Sequence, residues 1–263
     1  MGVVSDPAIK EASGLVVSSR NPGILWTHND SSPHLYALRK TGELVARIKV
    51  PDAAGGNFED LAVGPGPLAG TDYLYLADIG DNRRERDSVA VFRMPEPNLQ
   101  ASPNSKKSGP GKLHEVKKII LKYPDERFNA ESLLIDPLTG DLFIATKEKK
   151  RSRVYTALKA QLESDEPVIL KLVCEIRMNS ASGAAISRDG HQIVLRNEDY
   201  AQMWNRPNGV SVADAFRGLP TRLPVIGRPK EPNGEAIAFD PSGHGYYTIS
   251  EGINPPIYFF NRP

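Results

Sequence analysis

The chain has 263 residues, of which 25% are charged and 40% hydrophobic, and its 33 basic side chains stand against 32 acidic ones for a formal net charge of +1. That balance supplies no field for nucleic acid or an anionic lipid surface, so neither is expected as a partner. The lone Cys174 excludes an internal disulfide and a thiolate metal cluster, and no run of about 18 apolar residues is present to span a membrane. The stretch from Met1 to Pro7 has neither the basic n-region nor the apolar h-region of a signal peptide. A soluble protein is expected, cytoplasmic or exported with a leader removed.

One short pattern occurs five times along the chain. Its copies are Glu11-Ala-Ser-Gly-Leu-Val-Val-Ser18, Asn57-Phe-Glu-Asp-Leu-Ala-Val-Gly64, Asn129-Ala-Glu-Ser-Leu-Leu-Ile-Asp136, Ser180-Ala-Ser-Gly-Ala-Ala-Ile-Ser187 and Asn233-Gly-Glu-Ala-Ile-Ala-Phe-Asp240. The third positions (Ser13, Glu59, Glu131, Ser182, Glu235) are separated by 46, 72, 51 and 53 residues. Intervals of this size are those of propeller blades. The longest contains residues 98–111, rich in Pro, Gly, Ser and Lys, which read as an exposed inserted loop.

Within each interval, short runs of β-branched and aromatic residues alternate with turn residues. The first gives Leu15–Val17, Ile24–Thr27, Leu35–Leu38 and Leu44–Val50, and four strands make a blade. The second gives Leu74–Ala77, Val89–Met94 and Val116–Lys122 after its motif, and the third gives Leu142–Ala145, Val154–Thr156 and Val168–Val173. The fourth is less regular, with a short helix predicted over Val212–Phe216. After Glu235 only 28 residues remain, enough for three strands (Ile237–Phe239, Gly245–Ile249, Ile257–Phe260) but not four. The N-terminal segment is therefore expected to supply the missing outer strand, which protects the sheet edges. The reading is all-β: a five-bladed β-propeller with four antiparallel strands per blade, in a single domain over residues 1–263, expected to be a monomer. A β-sandwich is the competing architecture, but it explains neither the repeated motif nor the split last unit.

In such a ring the motif positions and the ends of the second strands gather on one face of the channel. That face is expected to hold Glu11, Asn57, Asn129 and Asn233 beside the motif, and Asn29, Asp30, Asp78, Lys147, Arg196, Asn197 and Glu251 at the strand-two ends. Three glutamates converging on one axis require compensation. Oxygen donors, side-chain amides and no thiolate suit calcium as the cofactor. The competing account has Lys147 and Arg196 neutralise the glutamates as a buried ion network.

The phrases Glu11-Ala-Ser-Gly-Leu15, Phe58-Glu-Asp-Leu-Ala-Val-Gly64, Asp78-Ile-Gly-Asp-Asn82 and Gly234-Glu-Ala-Ile-Ala-Phe-Asp240 resemble those of a family of largely uncharacterised bacterial β-propeller proteins. More distantly, a Glu or Asn before the first strand of a blade is similar to the pattern of gluconolactonase, senescence-marker-protein and paraoxonase-type calcium propellers. The resemblance implies Glu59, Glu131 and Glu235 as calcium ligands, and Asp78 joins the candidate set. Those families have six blades against the five counted here, so their ligand geometry does not transfer.

An axial metal supports hydrolysis of a small lactone or ester by polarising the substrate's carbonyl. His28, beside Asn29 and Asp30, is the expected general base, and a small-molecule ligand is expected at the channel mouth. The alternative is a non-catalytic propeller that binds a sugar, peptide or protein there, with any metal structural. The run Lys147-Glu-Lys-Lys-Arg-Ser-Arg153 lacks interleaved aromatics and reads as a solvated turn. Trp26 and Trp204 are expected between blades.

Overall fold

The computed structural model describes residues 2–99, 113, 115–231 and 233–261. The chain opens with a two-residue strand, β1 (Gly2–Val3), and then forms blade 1 from β2 (Ala12–Val17), β3 (Ile24–Asn29), β4 (Ser32–Arg39) and β5 (Leu44–Lys49). Blade 2 comprises β6 (Phe58–Pro65), β7 (Asp72–Asp78), β8 (Val89–Pro95) and β9 (Lys117–Lys122). Blade 3 comprises β10 (Ala130–Ile135), β11 (Leu142–Thr146), β12 (Ser152–Ala157) and β14 (Lys171–Ile176); between the last two lie a 3-10 turn and the short β13 (Val168–Ile169), which joins the sheet of blade 2. Blade 4 is β15 (Gly183–Ile186), β16 (Gln192–Arg196) and β17 (Ala201–Asn205), followed by the single-turn α1 (Val212–Ala215) and β18 (Thr221–Leu223). Blade 5 is β19 (Gly234–Phe239), β20 (Gly245–Ser250) and β21 (Pro256–Asn261).

β1 completes blade 5 by pairing antiparallel with β21, Gly2 opposite Ile257 and Val3 opposite Pro256. The split last unit thus closes as the sequence predicts, although the outer strand is only two residues long. Inner strands β2, β10 and β19 are buried throughout, because each is covered on both faces by neighbouring blades; their later residues read as apolar runs, whereas their first residues carry the polar motif positions. The outer strand β5 instead alternates buried and exposed positions, the mark of one solvated face.

Five apolar clusters fill the five seams between blades. Trp26 packs with Phe58, Leu61 and Phe92 in the seam of blades 1 and 2, and Trp204 packs with Leu134 and Phe143 in that of blades 3 and 4. The cluster joining Leu15 and Tyr36 to Ala236 and Tyr247 closes the ring between blades 5 and 1. Among the described residues no helix is long and apolar enough to cross a membrane.

Two sequence expectations change. Residues 168–173 do not form one strand: Val168 and Leu170 bury themselves in the seam of blades 2 and 3, and this draws β13 onto β9 as a parallel fifth strand. The predicted loop over 98–111 lies largely outside the described residues, but its first part is docked, since the Leu99 backbone N–H donates to Asn21 Oδ1 at 2.9 Å.

The same corner carries a buried carboxylate clasp. Glu96, 1% exposed, accepts from Trp26 Nε1 at 2.9 Å, from the Ser19 and Arg20 N–H groups at 3.1 Å each, and from the Ser18 hydroxyl. It ties the end of β8 to the first turn of blade 1. Glu96→Ala strands several of these donors, and we expect a loss of roughly 3 kcal/mol, read as a lower denaturation midpoint with an unchanged m-value.

Candidate functional site

The repeated motif sits where the inner strands begin, and the register there is irregular. Pairing of inner with second strands skips between Ala12 and Leu15, Phe58 and Asp60, Ala130 and Ser132, and Gly234 and Ala236. Glu59, Glu131 and Glu235 are therefore bulge residues, and in blade 1 the skipped pair is Ser13–Gly14. A bulge re-aims a side chain that regular pairing would send into a seam. In blade 4, Ser182 precedes the strand, its N–H donating to the Arg196 carbonyl at 2.9 Å.

The Ser-Gly copies of the motif follow from close backbone approach. A Cβ on Gly183 would lie 2.0 Å from the Glu235 carbonyl oxygen, and one on Gly14 would lie 2.4 Å from the Leu61 nitrogen. Ser13 stitches three blades, its hydroxyl 2.7 Å from the Glu59 carbonyl and 2.9 Å from Glu235 Oε2.

At this end of the channel the carboxylates converge. Glu59, Glu131 and Glu235 are 4%, 4% and 7% exposed. Asp30, Glu235 and Glu251 each present an oxygen within 4.8 Å of the others, the one such acidic group among the described residues. Oδ1 of Asp30 is shut from solvent and has no hydrogen-bond partner. Burial, reinforced by the neighbouring carboxylates, pushes Glu235 up to about 7, Asp30 up to about 9 and Glu59 up to about 10. Burial also raises Glu131, whose Oε2 receives the Lys147 ammonium. Lys147 lies 3.7 Å from Glu235 Oε1 as well, and although burial opposes its charge, these glutamates hold it above the ordinary lysine value.

The amides predicted beside the motif steady the carboxylates. Asn57 Nδ2 donates to Glu59 Oε1 at 2.7 Å, Asn129 Nδ2 to Glu131 Oε1 at 3.2 Å, and Asn233 Nδ2 to Glu251 Oε2 at 2.8 Å. Glu11 stands at the rim and accepts from Ser31 Oγ at 2.5 Å.

Five predicted site residues have other roles. His28 is fully buried, and its Nε2 accepts from the Gly14 N–H at 3.0 Å. Burial lowers it to about 4, so it is a neutral seam residue out of reach of a ligand rather than the expected base. Arg196, also fully buried, pairs at 3.3 Å with Glu231, itself 0% exposed, and donates to the Ala236 carbonyl at 3.1 Å. It joins blades 4 and 5, and although its charge is felt at Glu235, its ion pair is with Glu231 and not with a mouth glutamate. Asn197 closes a turn, accepting from the Asp199 and Tyr200 N–H groups at 2.9 Å each. Asn29 pins the N-terminal segment by donating to the Ala8 carbonyl at 2.7 Å. Asp78 Oδ1 accepts from the Asn57 N–H at 2.9 Å and from Arg86 at 2.8 Å, which leaves it outside the acidic trio.

Asp60 was not among the expected site residues. Its carboxylate, 1% exposed, accepts from the Leu61 N–H of its own blade and the Leu133 N–H of blade 3, each at 2.8 Å. Burial raises it well above the ordinary carboxylate value. Beyond it, towards the opposite face, the channel widens into a cavity of about 200 Å³ lined mainly by apolar residues of all five inner strands, among them Leu15, Leu61, Leu133, Ala184 and Ala238. The site thus has a polar acidic mouth above and an apolar chamber below.

No protein-family model matches the chain, and no curated protein matches it in sequence. Solved structures do resemble it. A chain of the crystal structure of a nidogen/laminin complex is 13% identical with a TM-score of 0.50, over 92% of this chain and 73% of that one. The structure of the Dos1 propeller is 13% identical with a TM-score of 0.43, over 96% of this chain and 60% of that one. Likeness at this identity speaks to the fold alone. With the ring described above, the chain belongs to the class of β-propellers, in a five-bladed form.

Proposed function

We propose that the channel mouth is a calcium site that serves the hydrolysis of a small lactone or ester. The observation that carries this reading is the convergence of Asp30, Glu235 and Glu251, with the buried Glu59 and Glu131 beside them and the Lys147 ammonium paired to Glu131 and near Glu235. The donor set is all oxygen, His28 is turned away, and Asp30 Oδ1 is shut from solvent without a hydrogen-bond partner of its own. Such donors fit a hard cation with a flexible ligand number, which favours calcium over zinc. The distant resemblance to calcium propellers points the same way.

Asp30, Glu235 and Glu251 would hold the ion, which when bound supplies a Lewis acid for a carbonyl oxygen. Burial holds Glu59 up to about 10, so it would accept a proton from attacking water only once a bound cation offset the neighbouring carboxylates and lowered that value; fixed by Asn57, it is the carboxylate placed to do so. Lys147 orients Glu131 at the wall.

A second reading is favoured by one observation: burial of His28 removes the only imidazole expected at the mouth. In that reading the same calcium site is structural and the mouth binds a ligand without turning it over. Assay of a lactone and aryl-ester panel, with calcium and with chelator, separates the two. The hydrolase reading expects activity that chelation abolishes, that Asp30→Asn reduces by roughly a hundredfold or more, and that Glu59→Gln lowers in kcat at unchanged KM. Calcium binding without turnover of any ester would leave the binding reading.

A further inference from the structure

The run from Lys147 to Arg153 is not a plain solvated turn. With Arg84, Asn82, Asn129 and Glu175 it lines an open groove of about 710 Å³ beside the channel mouth, between blades 2 and 3. Asn129 and Lys147 belong to both the groove and the acidic mouth, so the two are continuous. The groove walls carry six cationic side chains (Arg84, Lys147, Lys149, Lys150, Arg151, Arg153) against two carboxylates, Glu148 and Glu175; with Lys147 already paired to Glu131 of the mouth, three positive charges remain in a protein whose formal net charge is +1.

Two of these cations are held in place before any ligand arrives. The Arg153 guanidinium lies 4.9 Å from the centroid of the Phe128 ring, and that of Arg84 lies 5.7 Å from it. Glu148 anchors both, 3.2 Å from Arg153 and 3.7 Å from Arg84. Glu175 takes Arg151 at 3.0 Å. Lys149 and Lys150 are exposed and make no ion pair among the described residues. Planar guanidinium forks beside free ammonium groups match a tetrahedral oxyanion. The groove presents no aromatic ring for stacking a base, Phe128 being only 1% exposed, which sets it apart from a single-stranded nucleic acid channel. Its volume suits a small molecule.

We infer that this groove is a second binding subsite, taking the phosphate or sulfate group of a small ligand whose other end reaches the channel mouth. Only the second half of that statement rests on the mouth being a ligand site; the groove's own affinity for an oxyanion needs no metal. The ligand class becomes a phosphorylated or sulfated ester or lactone, with its anionic group over blades 2 and 3 and its carbonyl on the axis.

The test is calorimetric titration of metal-free protein, kept in chelator, with inorganic pyrophosphate at fixed ionic strength. The wild type should bind, and Lys149→Glu combined with Lys150→Glu should weaken binding by roughly tenfold or more, with an unchanged melting temperature because both side chains are exposed. Arg84→Gln should weaken it in the same direction. Lys49→Glu, an exposed charge reversal on the outer strand of blade 1, should leave it unaltered. No binding of pyrophosphate, or an equal loss in Lys49→Glu, would overturn the subsite. Because calcium is absent throughout, the result stands apart from the calcium reading, which fails or succeeds on metal binding alone.

Discussion

Replacing Arg196 by Met should lower the stability of the protein by about 3–5 kcal/mol, the usual cost of removing one partner of a buried ion pair. The substitution leaves Glu231 fully buried, with Thr248 Oγ1, 2.7 Å from its Oε1, as the remaining side-chain donor. It also removes donors to the Asn197 and Ala236 carbonyls. A drop in melting temperature on the order of 10 °C follows, at a few degrees per kcal/mol. Adding Glu231→Gln to Arg196→Met should restore a large part of the loss, because the uncompensated charge disappears. The outcome separates a seam residue from a mouth residue: were Arg196 a ligand-facing group, Arg196→Met would barely move the melting temperature and would alter ligand binding instead.

The second large effect is on pH. Glu235, Asp30 and Glu59 all titrate higher in the folded protein than in an unfolded chain, to about 7, 9 and 10. A folded state that keeps protons the unfolded state releases loses stability as pH rises. The stabilisation is fully present below the unfolded values near 4. Glu235 has given up its share once the pH passes about 7, and Asp30 and Glu59 continue the decline towards 9 and 10. Each pH unit costs up to about 1.4 kcal/mol per group that titrates within that window. In chelator the melting temperature should therefore fall by roughly ten degrees or more between pH 5 and 8. Calcium should reverse the fall, and more strongly at pH 8, where binding displaces fewer protons. Glu59→Gln in chelator should melt higher than the wild type at pH 8 and show a shallower slope. A melting temperature flat across this range in chelator would contradict a convergence of carboxylates that Lys147 alone only partly compensates.

Much of this architecture was legible in the sequence because propeller geometry repeats. Five motif copies at blade spacing gave the blade number, and the three-strand remainder after Glu235 gave the ring closure that β1 and β21 make. The motif glutamates were legible as channel residues because the pattern marks the start of each inner strand. The bulges that aim them there leave no trace in composition, being set by backbone pairing across the blade.

The misplaced residues have a simple cause, since side chains along a strand alternate between faces. His28 stands two residues after Trp26, which was expected between blades, so the same seam claims both. Arg196 stands two after Val194 and likewise enters the seam of blades 4 and 5. Applying the period of two outward from the tryptophan would have moved His28 from the mouth. The trio of Asp30, Glu235 and Glu251 was half visible. All three were placed on the correct face, but Asp30 and Glu251 lie 221 residues apart in sequence and meet only because blades 5 and 1 are neighbours in the closed ring. Asp60 was hidden for another reason: its carboxylate serves backbone N–H groups, whose positions the sequence does not display.

The central claim is that the channel mouth holds calcium, and calorimetric titration of chelator-stripped protein with calcium tests it most directly. The account predicts one calcium per chain, bound through Asp30, Glu235 and Glu251, with protons released on binding at pH 7, and binding lost in Asp30→Asn and in Glu251→Gln while both variants keep the fold. No saturable calcium binding by the folded wild type, or binding unchanged in both variants, would contradict it and leave the carboxylates as a proton-sharing network of the ring.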